Sequence, residues 1–275
     1  MDSRNKLLSW LEKNVEPPRC MRTHYSISLR DFEQGVYSYN EELTRSIYAG
    51  DVYIIRNVVE PRALEEMKRG VILWGDERKA EYQKMVIGAN DYHQVITEEG
   101  DAKKYAIQPV RHSYFFFRWN GDPLKTFEHG DHIWGLVKLF GGFDYDSFTT
   151  DFSNENPIDR SQVAHYPPGA GLIPRHNDPW HNQKLILGVY ISKYGEDFEQ
   201  GGIYFVDDKD NDVLLEPEIE RGDAVVAFPT ITHGVARIDP HKKPNWETDR
   251  GRWFLGLYTN DSNSKKDRIT SKLAT

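Results

Sequence analysis

Three side chains in the second half of the chain have the types and order of a mononuclear iron site. His176 and Asp178 lie two positions apart, and His233 follows further along the chain. Two histidines and one carboxylate bind Fe(II) on one face of the ion and leave the opposite positions open for a co-substrate and O2. This open face makes the three residues candidates for oxygenase chemistry.

A second histidine-rich stretch, His-Gly-Asp-His at residues 129–132, competes with the first as a metal site. We interpret it as a loop end followed by a helix start, because the charge of Asp131 is favoured near a helix N-terminus. A His-x-Asp pair alone is weak evidence, and the three candidate ligands could be unrelated loop residues. The surrounding elements therefore have to decide between the two stretches.

The segments around the candidate ligands have the composition of short strands joined by turns. In chain order they are a strand ending in a Pro/Gly turn at 163–172, a buried strand at 184–191, a hairpin at 201–215 with a polar tip, and a strand at 224–229. We expect the metal residues at strand ends, where a barrel would have its mouth.

The last predicted strand, residues 250–259, carries arginines near its start. Period-two alternation places Arg252 and Phe254 on one face and Trp253 on the other. An arginine that faces into an apolar barrel needs an anion. The alternative is a structural salt bridge, for example with Asp249 or Glu247.

The stretch from about Val163 to Tyr258 resembles the Fe(II)- and 2-oxoglutarate-dependent dioxygenases. Their double-stranded β-helix carries a Tyr/Gly turn, His-x-Asp, a Gly-Gly strand, a Gly-Asp strand, a second His and an Arg, and all these parts occur here in that order. The resemblance implies that His176, Asp178 and His233 are the catalytic metal ligands.

The resemblance also implies that Arg252 pairs with the C5 carboxylate of 2-oxoglutarate, because a planar guanidinium can make two parallel bonds to a carboxylate. Arg252 lies further beyond the second histidine than is commonest in the family, so Arg237 and Arg250 remain alternatives. Only one of His165 and Tyr166 can face the site, since adjacent strand residues point to opposite faces. Tyr166 is the candidate for a hydrogen bond to 2-oxoglutarate, and the alternative is a hydroxyl at the barrel rim.

We predict one domain over residues 1–275 that is mainly β with flanking helices. A double-stranded β-helix core (jelly-roll or cupin-like) is expected at 106–260, a mainly helical N-terminal support at 1–105, and a loose tail at 261–275. Within the support, residues 3–15 have helical spacing, 52–55 are strand-like, and a helix begins at Pro61. Irregular segments around 75–101 and 120–132 are expected to line the pocket.

The composition excludes several classes of protein. The net charge of −8 has no basic stripe, so nucleic acid is not expected as a partner. One cysteine, Cys20, rules out an internal disulfide framework and fits a reducing compartment. No apolar run is long enough for a membrane span or a signal sequence. We expect a cytoplasmic protein without membrane contact, and the sequence leaves the oligomeric state open.

The resemblance implies an oxidoreductase that uses Fe(II), 2-oxoglutarate and O2 and releases succinate and CO2. It would hydroxylate, desaturate or cyclise an unactivated carbon. Compact size favours a small-molecule substrate, and the surplus of carboxylates suits an amino acid or another amine-bearing intermediate. The alternatives are a hydroxylase of protein or peptide side chains and a barrel that binds a metal or ligand without turnover.

Overall fold

The computed structural model describes residues 3–153 and 156–274. In the described residues, α-helices dominate the first part of the chain and strands the rest. The α-helices are α1 Ser3–Asn14, α2 Leu29–Tyr37, α3 Glu41–Tyr48, α4 Pro61–Asp76 and α5 Thr126–Phe140. The strands are β1 His24–Ser28, β2 Val52–Arg56, β3 Tyr92–Ile96, β4 Arg111–Phe117, β5 Ile158–Tyr166, β6 Ile173–Asn177, β7 Ile186–Tyr190, β8 Gly202–Val206, β9 Asp212–Leu214, β10 Ala224–Ala227, β11 His233–Ala236, β12 Arg252–Asn260 and β13 Lys272–Leu273.

The strands form two sheets that line a cavity. The larger sheet has the order β1-β2-β10-β7-β12-β5-β4-β3, and the smaller has the order β13-β6-β11-β8-β9. From β5 to β12 the chain alternates between the two sheets, except for the β8–β9 hairpin, which stays in the smaller one. This winding is a double-stranded β-helix, so the predicted fold class is confirmed.

The N-terminal part supports the larger sheet. The predicted strand near residues 52–55 and the helix beginning at Pro61 are both present as β2 and α4. This part also supplies β1 and β3, which extend the sheet at opposite edges. Helix α5 packs on the outer face of β5, β7 and β12, and Lys68 of α4 lies over the ring of Trp253. The helices therefore cover one face of the sheet and leave the other to the cavity.

Residues 261–274, predicted as a loose tail, are mostly irregular, but part of the segment contacts the smaller sheet. Strand β13 pairs with β6, with Leu273 opposite His176, and Asp261 and Ser262 are buried. The polar, lysine-rich composition indicated disorder, but backbone hydrogen bonds to a sheet edge do not depend on side-chain type. The tail therefore lies against the strand that carries the first candidate ligand.

Within the described ranges, no helix has the length and apolar character needed to cross a membrane.

Candidate metal centre and cavity

The structure brings the three predicted ligand residues together. His176 lies near the end of β6, Asp178 follows that strand, and His233 begins β11. Antiparallel pairing of β6 with β11 sets His176 opposite His233, with ring centroids 4.2 Å apart. One potential ligand atom from each of the three residues lies within 4.8 Å of the others.

Hydrogen bonds to the backbone orient both imidazoles. His176 Nδ1 is 2.9 Å from the carbonyl oxygen of Pro174, and His233 Nδ1 is 2.8 Å from that of Ile231. A histidine that ligates a metal through one nitrogen typically donates from the other in this way. Each Nε2 atom therefore faces Asp178.

The distances around Asp178 leave space for an ion. Each histidine Nε2 is 3.8 Å from one Asp178 carboxylate oxygen, which is too long for a hydrogen bond. Ser271 of the tail donates a hydrogen bond of 2.5 Å to Asp178 Oδ1. The Asp178 carboxylate is thus held in place between two imidazoles without pairing directly to either.

Burial, and next the neighbouring His233, lower the pKa of His176 to about 4. His176 is therefore neutral at neutral pH, which is the form that binds metals. Two imidazoles and one carboxylate suit a divalent first-row metal such as Fe(II). The donor set fits the predicted iron.

The competing stretch at 129–132 lies wholly within α5, which begins three residues earlier than the loop end and helix start interpreted from the sequence. Asp131 accepts two hydrogen bonds from Arg118, and His132 contacts Glu33 and Tyr145. These partners account for the polar groups of Asp131 and His132. In the part of the chain that the structure describes, the stretch forms no group of metal-ligand geometry.

Arg252 is buried in the cavity wall and already has a carboxylate partner. Its Nε is 2.9 Å from both carboxylate oxygens of Glu216. The sequence analysis had named Asp249 and Glu247 as possible salt-bridge partners and had not identified Glu216. Glu216 is itself fixed by the backbone N–H of Ile203, which donates to it over 2.6 Å. The guanidinium of Arg252 is therefore held in one orientation beside the cavity.

The Gly-Gly segment at the start of β8 makes room for this ion pair. Gly202 has a φ of +113°, and a Cβ atom built there would lie 2.5 Å from Glu216 Cβ and 2.7 Å from Glu216 Oε2. Any side chain at this position would displace the carboxylate that holds Arg252.

The two alternative arginines lie elsewhere. Arg237 pairs with Glu98 and donates to the carbonyl of Ala170, and Arg250 donates to the carbonyl of Glu196. Neither of them lines the cavity. Of the three arginines predicted as 2-oxoglutarate partners, Arg252 alone has access to the metal cluster.

Tyr166 and His165 point to opposite faces of β5, as expected. Tyr166 is buried, lines the cavity and accepts a hydrogen bond of 2.8 Å from Arg111. His165 stacks on Trp253 on the other face, with ring centroids 4.3 Å apart. Burial lowers the pKa of His165 to about 4, so it packs there as a neutral ring.

The cavity has a volume of about 640 Å³ and extends from the metal cluster to the tail. Part of the segment predicted to line it, residues 75–101, does so. Residues 120–132 do not, because α5 packs on the outer face of the sheet. Three cavity arginines escaped the sequence analysis: Arg111, Arg160 and Arg268. Alternation along β5 would have placed Arg160 on the same face as Tyr166.

No family model matches the chain, and no curated protein matches its sequence. Solved structures do match. A full-length Neurospora crassa protein, crystallised in complex with alpha-KG and thymine, aligns over 92% of this chain and 89% of its own, with 13% identity and a TM-score of 0.52. The same Neurospora crassa protein, truncated at its C-terminus and in apo form, aligns over 86% and 94%, with 14% identity and a TM-score of 0.52. At such identities the likeness shows a shared fold.

Proposed function

We propose that this protein is an Fe(II)- and 2-oxoglutarate-dependent oxygenase that acts on a small molecule. The observation that carries the proposal is the convergence of His176, Asp178 and His233 at the wall of a large cavity inside a double-stranded β-helix. The same fold in the Neurospora crassa protein, solved with alpha-KG and thymine, supports the co-substrate and the size of the substrate.

His176, Asp178 and His233 would hold the iron, and Arg252 would bind the distal carboxylate of 2-oxoglutarate. Bound together, iron and 2-oxoglutarate supply O2-dependent oxidation of a substrate carbon with release of succinate and CO2. Glu216 accepts the hydrogen bond from Nε of Arg252. The terminal nitrogens of the guanidinium would therefore donate to the distal carboxylate of 2-oxoglutarate.

The remaining work of the chain is to position the substrate and to keep water out. Apolar and aromatic side chains such as Phe254 and Ile173 line the cavity, and Ser271 brings the tail against Asp178. The volume of about 640 Å³ falls within the roughly 300–1,000 Å³ typical of small-molecule sites. This favours a small molecule over a side chain of a folded protein.

The experiment is to measure binding of Mn(II) and formation of succinate from 2-oxoglutarate under O2 with the Fe(II)-loaded protein. We expect about one metal ion per chain and slow succinate formation without substrate. Metal binding and succinate formation should both be lost in His176→Ala, Asp178→Ala and His233→Ala. Both should be retained in His132→Ala, a substitution in α5. Metal binding without any succinate would instead indicate a barrel that binds without turnover. Unchanged metal binding in all three variants would exclude the proposed ligands.

A further inference from the structure

Three arginines of the cavity have no ion pair among the described residues. Arg111, Arg160 and Arg268 all line the cavity, and the Nε atom of each is buried without a hydrogen-bond partner. The amide nitrogen of Gln183, also in the cavity wall, is a fourth such donor. The three residues as a whole are half-buried. Arginines with part of the guanidinium removed from water are normally paired, because an uncompensated charge out of water is costly.

Arg160 is held between aromatic rings and lies within electrostatic reach of the other two arginines. Its guanidinium carbon lies 5.1 Å from the ring centre of Phe115 and 5.0 Å from that of Tyr258. Burial lowers the pKa of Arg160, and the charges of Arg111 and Arg268 lower it further. Aromatic rings thus hold the guanidinium in place, while the full charges that act on its ionisation are other cations.

The carboxylates of the cavity wall are already engaged. Asp101 accepts from Lys104 over 2.5 Å, and Asp261 accepts from Lys265 over 3.0 Å. Asp178 belongs to the metal cluster. Arg111 donates to a neutral group, the hydroxyl of Tyr166. None of these acids is free to balance the three arginines.

The cofactors of the proposed function do not balance the charge either. The three arginines and one divalent metal ion carry five positive charges, whereas Asp178 and doubly charged 2-oxoglutarate carry three negative charges. The pair of Arg252 with Glu216 is neutral overall. Two positive charges remain in the loaded cavity, even if 2-oxoglutarate contacts one of the unpaired arginines.

Resting on the proposed function, we propose that the substrate is a small acid whose carboxylate or phosphate group binds to Arg160 and Arg268. Both groups are bound well by guanidinium donors. Arg268 comes from the tail, so residues 261–274 complete the anion site. The amine-bearing substrate expected from the overall charge of the chain would instead meet unpaired cations.

The test uses three probes with the same ring and different charge: benzoate, phenyl phosphate and benzylamine. The protein is first saturated with Mn(II) and N-oxalylglycine, a non-reacting analogue of 2-oxoglutarate, so that the probes cannot occupy the co-substrate site. Calorimetry should show binding of benzoate or phenyl phosphate and none of benzylamine. The tighter of the two anions identifies the group as carboxylate or phosphate.

Arg160→Gln and Arg268→Gln should each weaken anion binding by at least about tenfold, as expected for loss of a hydrogen bond between charged groups. Arg221→Gln is the matched control, because Arg221 is half-buried but pairs with Glu196 and Asp197 outside the cavity. Equal binding of benzylamine and the anions would overturn the proposal, as would unchanged affinity in both cavity variants. A cavity variant that fails to fold would show a structural role and would also overturn it.

Failure of the anion site and failure of the proposed function give different results. Binding of Mn(II) and N-oxalylglycine without preference for the anionic probes would leave the oxygenase in place and remove the acidic substrate. Preference for the anions without binding of Mn(II) would support the anion site and would remove the proposed oxygenase function.

Discussion

Two neighbouring residues of β5, Asp159 and Arg160, point to opposite sides of the same sheet and meet opposite environments. On the outer side Asp159 is buried and accepts hydrogen bonds from Lys138 and Arg118, and Arg118 also pairs with Asp131. On the cavity side Arg160 has no counter-ion among the described residues. Asp159 is therefore paired on the side that supports the fold, whereas Arg160 is left unpaired on the side where a ligand is proposed to enter.

The two sides of the sheet differ in whether their charged side chains are balanced without a ligand. The outer cluster contains two cations and two carboxylates, so it is neutral without any ligand. The cavity group has surplus cations without ion pairs among the described residues, and Arg160 is held by its contacts with aromatic rings. Removing a charge should consequently have opposite effects on the two sides of the sheet.

The largest effect on stability is expected on the outer side. Asp159→Ala would leave Arg118 and Lys138 buried without that carboxylate, at a cost of about 3–5 kcal/mol in the free energy of unfolding. Chemical denaturation measures it. Glu128→Ala is the control, because Glu128 forms an exposed pair with Lys125 that is worth less than about 1 kcal/mol. Similar losses in both variants would remove the distinction between the outer cluster and an ordinary surface pair.

The next effect tests the one cavity arginine that does have a carboxylate partner. Arg252→Met should raise the KM for 2-oxoglutarate by a factor that corresponds to a loss of about 2–5 kcal/mol in binding free energy. Iron binding should be retained. The substitution would also leave Glu216 buried and unpaired, so the double variant Arg252→Met with Glu216→Gln separates stability from binding. We expect the double variant to recover stability without recovering affinity. An unchanged KM, combined with a large increase in Arg111→Met, would assign the carboxylate contact to Arg111.

The smallest effect is expected at Arg160 in the absence of any ligand. Arg160→Met removes an unpaired charge and keeps an unbranched side chain between two aromatic rings, so stability should stay within about 1 kcal/mol of the original or increase. The melting temperature of the metal-free protein measures this. A loss comparable to that of Asp159→Ala would mean that Arg160 supports the fold, and the contrast between the two sides would disappear.

The sequence predicted those features that depend on local pattern. Residue type and order made His176, Asp178 and His233 candidates, and the resemblance to the dioxygenases implied that they act together. Period-two alternation predicted which faces Arg252 and Tyr166 occupy.

Features that depend on non-local partners escaped prediction. Glu216 approaches Arg252 from a separate segment, and the unpaired state of Arg160 is visible only once all neighbouring acids have been located. The pairing of Lys272 and Leu273 with β6 escaped prediction for the same reason, because it depends on a distant strand and not on the composition of the tail. The net charge of −8 likewise did not predict that several arginines line the cavity.

The contact of Gly202 with Glu216 has an evolutionary consequence. A Cβ atom at position 202 cannot coexist with the carboxylate that holds Arg252, so these three positions form one unit of selection. Among homologues of this chain, Gly202, Glu216 and Arg252 should be retained together or replaced together. A lineage that loses the glycine should lose the acid as well, and would then need a different way to orient the arginine.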